Sequence, residues 1–274
     1  MSIKVLCKMP SYPLRCSGLF TVFIAVFLSH AVYAQSAEEK GLEIAKERKL
    51  RDRGWGDSVA DMSMILRNGQ GQEAQRKMRL KTLEVRGDGD KGLTVFDQPR
   101  DVKGTAFLNF SHALVADEQW IYLPALKRVK RISSRNKSGP FMGSEFAFED
   151  MSSFEIEKYK FKFLKDDNYN GQDAFVVEQT PRDEHSGYTK QIVWIDKQHY
   201  RPLKIEFYDR KGSLLKTLTL HDYKLYLDKY WRPMRLEMHN EQRGKSTQLI
   251  THSLAFKTGL DEGDFNKNSL KRAR

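Results

Sequence analysis

Cysteine is almost missing from this chain. The 274 residues hold two, Cys7 and Cys16. A disulfide framework and thiol chemistry are excluded if both are removed with a leader. No apolar run reaches the ~20 residues that a membrane-spanning helix needs. There is no H-E-x-x-H pair, no G-x-S-x-G elbow and no G-x-x-x-x-G-K-[ST] loop. Without cysteine ligands, and with His112, His185, His199, His221, His239 and His252 scattered singly, a structural zinc site is not expected. Asp88-Gly89-Asp90 resembles the start of a calcium loop, but the later ligands and closing Glu are missing, so a hairpin turn is expected. No cofactor and no enzymatic activity are expected.

What is present begins with an export signature. Lys4, Lys8 and Arg15 precede the uncharged run GLFTVFIAVFL, Gly18 to Leu28, and Val32 and Ala34 fit the small-residue cleavage rule. Residues 1–34 are expected to be a cleaved signal peptide, and no cysteine follows the apolar run to carry a lipid anchor. Removing the three bases of that leader leaves 44 Lys and Arg against 36 Asp and Glu, a net charge of +8. A positive exported protein favours anionic lipid or an acidic partner over nucleic acid. A Gram-negative periplasm fits a cysteine-free export product.

From Ala37 to Arg53, Leu42, Ile44, Ala45 and Leu50 recur among charges at helical spacing, and Gly54 ends the run. Residues 35–54 therefore read as one amphipathic helix, and 55–274 as a single domain. After Gly54 the pattern alternates. Ala60, Met62, Met64 and Leu66 share one face, and Met78, Leu80 and Thr82 oppose Lys77, Arg79 and Lys81. Asn68-Gly69, Asn170-Gly171 and Arg210-Lys211-Gly212 fall where turns are needed. About ten or eleven strands joined by short turns predict a mainly β, antiparallel sheet or barrel.

One stretch breaks the rhythm: QWIYLPALKRVKRISSRNKSGPFMGSEFAFEDM, Gln119 to Met151. Six bases and no acid lie between Lys127 and Lys137, and Phe141, Met142, Phe146, Phe148 and Met151 follow. A long loop in a compact domain is commonly functional, and these aromatics argue against plain disorder. Met62, Met64, Met78, Phe96, Phe107, Trp120 and Tyr122 on the strands, with Phe141, Met142 and Phe146 from the loop, are the candidate lining and lid of a cavity. A small barrel either fills its middle with side chains or encloses a ligand, and methionine suits either use. Lys127, Arg128, Lys130 and Arg131 are the candidate contacts to lipid headgroups or a protein partner.

The segments LPALKRVKRI, FMGSEFAFEDM, YRPLKIEFYDRKGSLLKTLTL and YWRPMRLEMHN resemble the outer-membrane lipoprotein-sorting protein family. More narrowly they resemble its LolA-like branch, found alongside RND-type transporters. The similarity runs from about Trp55 to the C-terminus. It implies an antiparallel sheet curved into an incomplete barrel, with helices plugging the open side. It implies acyl chains of a lipid or lipoprotein as cargo and an RND-type inner-membrane transporter as partner, with no catalytic residues. The matching positions are Leu123, Pro124, Lys127, Arg128, Lys130 and Arg131, with Phe141, Met142, Gly143, Ser144, Glu145 and Phe146. A periplasmic carrier is expected. The alternatives are an accessory subunit of the transporter with a filled core, or an enzyme of envelope glycans or lipids.

Overall fold

The computed structural model describes residues 35–272 and Ser11. The expected signal peptide lies outside the described residues. Helix α1 (Ala37–Arg51) starts on a capping box, in which Ser36 Oγ accepts from Glu39 N at 3.1 Å and Glu39 Oε2 accepts from Ser36 N at 2.9 Å. Its buried residues are Gly41, Ile44 and Ala45. A Cβ on Gly41 would stand 2.7 Å from the backbone nitrogen of Phe163, so only glycine lets the helix lie this close to the sheet.

Thirteen antiparallel strands follow. They are β1 (Asp57–Arg67), β2 (Glu73–Leu83), β3 (Lys91–Gln98), β4 (Ala106–Phe110), β5 (Glu118–Leu123) and β6 (Arg128–Ile132). After a long connection come β7 (Tyr159–Tyr169), β8 (Gln172–Pro181), β9 (Lys190–Asp196), β10 (Pro202–Tyr208), β11 (Leu214–Tyr226), β12 (Tyr230–Asn240) and β13 (Lys245–Phe256). The count exceeds the expected ten or eleven. The basic β6 is an edge strand with Arg128, Lys130 and Arg131 exposed and Val129 and Ile132 half-buried.

The spatial order is β6-β5-β4-β3-β2-β1-β13-β12-β11-β10-β9-β8-β7. Two meanders therefore join where β1 pairs with β13, with Met64 opposite Leu249. The sheet curls without closing into a barrel, and β6 and β7 are its free edges. Turns follow the sequence signals: Asn170 and Gly171 both adopt positive φ, 51° and 81°, between β7 and β8.

The inner face carries one continuous apolar core. Met62 pairs with Met78, and Met78 with Phe96, across β1, β2 and β3. The same cluster takes in Phe107 of β4 and, from the other meander, Phe207, Leu218 and Met238. α1 covers the β7–β9 end of this face, over Phe161, Val177, Val193 and Ile195. The outer face has its own apolar patch on β3–β5, where Leu93, Val95, Ala106, Leu108 and Trp120 meet Phe265 and Leu270. Leu270 belongs to the C-terminal helix α2 (Lys267–Arg272).

Topology dictates what the Ser133–Lys158 connection must do. It joins β6 at one edge to β7 at the other, so it crosses the inner face. This strap packs Phe141 and Phe146 into the core, 1% and 3% exposed. The Phe141 ring lies 5.0 Å from that of Phe107 and 6.0 Å from that of Phe96, centroid to centroid. A tight turn presents these rings: Phe141 N donates to Phe146 O at 2.7 Å, and Met142 and Gly143 both take positive φ.

Candidate functional site

The strap is stitched to the sheet along its length. Lys216 Nζ of β11 donates to Glu145 O at 2.8 Å and to Asp150 Oδ2 at 2.7 Å. Tyr188 OH donates to Asp150 Oδ1 at 2.9 Å. Glu145 N donates to Thr247 Oγ1 of β13 at 3.0 Å, and Gln119 Nε2 of β5 donates to Phe148 O at 2.9 Å. Arg76 of β2 donates to the Met142 carbonyl. Glu149 Oε1 accepts from Gly187 N at 2.9 Å. Burial, then the neighbouring Asp150, pushes the Glu149 carboxyl above the ordinary range. Burial and the same two carboxylates push the Tyr188 hydroxyl well above its ordinary value.

Between strap, α1 and inner face lie two adjoining cavities, of about 440 and 790 Å³. Arg48 and the strap residues Met151 to Phe154 line both. These volumes fall within the ~300–1,000 Å³ usual for small-molecule sites. The floor of the smaller cavity is apolar, formed by Met62, Met64, Met78, Leu80, Phe107 and Phe141. Its rim is cationic. Seven Lys and Arg side chains line it, among them Arg48, Arg201 and Arg232, against two carboxylates, Asp52 and Asp90.

The rim cations stack on aromatic rings. The Arg48 guanidinium lies 4.1 Å from the Phe154 ring centroid, and Arg201 lies 4.7 Å from Tyr223 and 4.5 Å from Trp231. Arg201 pairs with Asp196 at 2.7 Å and Arg232 with Asp52 at 2.6 Å. Among the described residues, the Arg48 side chain makes no hydrogen bond or ion pair, and burial pulls its guanidinium below the ordinary value. Burial also pushes the Asp90 carboxyl up to about 6, with Lys49 opposing.

The structure brings most of the expected cavity residues together. Met62, Met64, Met78, Phe107 and Phe141 line the smaller cavity and Phe146 the larger. Phe96, fully buried, lies in the core against Phe141 and lines neither. Met142 is half-buried and packs against the same cluster. Trp120 and Tyr122 do not join them. They occupy the opposite parity of β5 from Ile121 and face outward, with Trp120 under Phe265 and Leu270 and 4.5 Å from the Lys267 ammonium. Lys127, Arg128, Lys130 and Arg131 are exposed at the β6 edge and line neither cavity. Leu123 and Pro124 are half-buried just before them. Gly143, Ser144 and Glu145 form the strap turn, with Ser144 Oγ donating to Phe141 O at 2.6 Å.

Arg48, Asp90, Arg201, Tyr223 and Arg232 were not legible as site residues. For Arg48 a signal existed: it follows Ile44 by four positions and Ala45 by three, so a charge continues the buried stripe of α1. Among the described residues no cluster of three or more His, Asp or Glu could hold a metal ion.

A family model for an uncharacterized protein family matches residues 88–272. None of the curated proteins matches the chain. Among solved structures, a Vibrio parahaemolyticus protein described as an outer membrane lipoprotein-sorting protein domain is 72% identical with a TM-score of 0.85. That alignment covers 86% of this chain and 100% of the other. A DUF1329 family protein from Desulfovibrio piger is 26% identical with a TM-score of 0.81, over 86% of this chain and 99% of its own. A LolA superfamily protein from Nitrosomonas europaea shares the fold at 20% identity and a TM-score of 0.67, over 86% of this chain and 100% of its own. An open antiparallel sheet with a strap across its inner face, and this identity over the whole of the Vibrio domain, place the chain in the outer membrane lipoprotein-sorting protein family, with the LolA superfamily fold.

Proposed function

We propose that this protein is a periplasmic carrier, exported by a cleaved leader, that holds an acyl chain of a lipid or lipoprotein. The observation that carries the reading is the apolar cavity of about 440 Å³ on the inner face, floored by Met62, Met64, Met78 and Leu80. Each methylene of a chain buried there contributes about 0.8 kcal/mol. Flexible methionines suit a floor that must accept chains of differing shape. The lipoprotein-sorting description of the Vibrio domain supports the same reading.

The exposed bases Lys127, Arg128, Lys130 and Arg131 lie at a free sheet edge, away from the cavity floor. In this reading they meet lipid headgroups or an RND-type inner-membrane transporter that supplies or receives the cargo. A transfer assay tests the carrier role: labelled phospholipid or lipoprotein should move between donor and acceptor vesicles faster when the protein is present. A rate equal to that of the protein-free control removes the carrier role.

A second reading has one observation in its favour. The strap buries Phe141 and Phe146 in the middle of the sheet, so much of the interior is already filled. That suits an accessory subunit that binds the transporter and carries nothing. Such a protein would pull down the transporter and yet accelerate no transfer.

A further inference from the structure

Arg48 is placed unlike the other rim cations. It lies on the buried stripe of α1, where Ile44 and Ala45 would lead one to expect a third apolar residue. Its guanidinium reaches the wall shared by the two cavities and rests on the Phe154 ring at 4.1 Å. A half-desolvated charge without a counter-ion is costly, and proteins normally pair it. The cavity carboxylate whose charge acts on it, Asp52, is already paired with Arg232 at 2.6 Å. Arg201 is likewise paired, with Asp196 at 2.7 Å. Lys229 has no ion pair either, but it donates to Arg53 O at 2.7 Å. Among the described residues, Arg48 is the one lining cation whose side chain has neither an ion pair nor a hydrogen bond.

The geometry points to a ligand that supplies the missing counter-ion: an amphiphile with a single anionic oxyanion head, carboxylate or phosphate, seated on Arg48, with its chain over Met62, Met64 and Met78. This rests on the carrier reading and adds to it the class of cargo. A guanidinium offers a fork of donors matched to a carboxylate or phosphate, and such charge-assisted bonds are about twice as strong as neutral ones. The Phe154 ring covers one face of the guanidinium and leaves its edge for that contact. The apolar floor provides affinity for any chain, whereas Arg48 discriminates by head charge.

The test uses protein stripped of bound lipid and loaded with the neutral dye Nile red, which is then displaced by oleate, methyl oleate or oleylamine. The three share a chain and differ in head charge. Wild-type protein should release dye at an oleate concentration about tenfold or more below that of methyl oleate, with oleylamine weakest. Arg48→Gln should bring the oleate-to-ester ratio to about one by weakening oleate while leaving the ester unchanged. Arg48→Met serves the same purpose should the glutamine variant lose its fold. A wild-type ratio near one, or a ratio that survives both substitutions, overturns the Arg48 head site and leaves the carrier reading standing. Failure of the wild-type protein to bind dye or any of the three amphiphiles overturns both.

Discussion

The Lys216 ammonium and the Asp150 carboxylate lie 2.7 Å apart, with 4% and 8% of their side chains exposed. The pair ties the strap to β11 at the centre of the inner face. Lys216 also stands 5.1 Å from the Tyr188 ring and 5.2 Å from that of Phe207, and it satisfies the Glu145 carbonyl. One buried lysine thus holds two turns of a segment that has little regular structure of its own.

Removing one member of a buried pair strands the other, at a cost of about 3–5 kcal/mol. Lys216→Met should therefore lower unfolding free energy by that order in a urea titration. Asp150→Asn on the Lys216→Met background should return part of the loss, because no bare carboxylate is then left behind. A Lys216→Met variant as stable as wild type would mean that the strap is held chiefly by its aromatic residues.

Phe141 sits at the aromatic centre of the strap, close to Phe96, Phe107 and Phe148. Phe141→Ala should cost about 3–5 kcal/mol, the range for emptying a buried aromatic site. Met142→Ala, one residue on and half-buried, should cost clearly less. Equal losses in thermal or chemical denaturation would contradict the placement of the two side chains.

Asp90 gives a dependence on pH. Its folded carboxyl titrates near 6 because burial disfavours the charged form, against an ordinary value of 3.8. Between those values the native state holds the proton that the unfolded chain has lost. This one group therefore lowers stability as pH rises through that window. Asp90→Asn removes the penalty and keeps an oxygen for the Val85 amide, which donates at 3.3 Å. The variant should exceed wild type by on the order of 1–2 kcal/mol above pH 6, and the two should converge below pH 4. A constant difference across that range would show that the gain has another source.

The β6 edge should behave differently from the core. Arg128, Lys130 and Arg131 are exposed, and among the described residues their one ion pair is Arg131 with Glu118 at 3.3 Å, at the surface. Reversing all three to Glu should change Tm little, since exposed substitutions typically stay within about 0.5 kcal/mol each. In the carrier reading the same variant should lose transfer to anionic vesicles or to the transporter. A large fall in Tm would identify β6 as a structural strand.

The β architecture could be read from period-two patterning, because Met62, Met64, Met78 and Leu80 each have a polar neighbour on the opposite face. The same reasoning failed at Trp120 and Tyr122. β3–β5 are apolar on both faces, since α2 covers the outer one, and composition does not say which face a tryptophan takes. The strap's aromatic residues announced burial, but only the strand order explains it: β6 and β7 end at opposite edges, so the chain between them must cross the interior. The loop expected to act as a lid is accordingly a hydrogen-bonded partition inside the sheet. The cationic rim was invisible because Arg48, Arg201 and Arg232 lie apart in sequence and meet only through the pairing of β10 with β11 and of β11 with β12, together with the packing of α1.

The central claim is that the inner face holds an amphiphile, and the direct measurement is the intact mass of the protein isolated from cell envelopes, recorded under native and then denaturing conditions. The carrier account predicts added mass under native conditions that is lost on denaturation and recovered as an acyl-containing lipid in the organic extract. A native mass equal to that of the polypeptide alone, unchanged after incubation with envelope lipid, would contradict it.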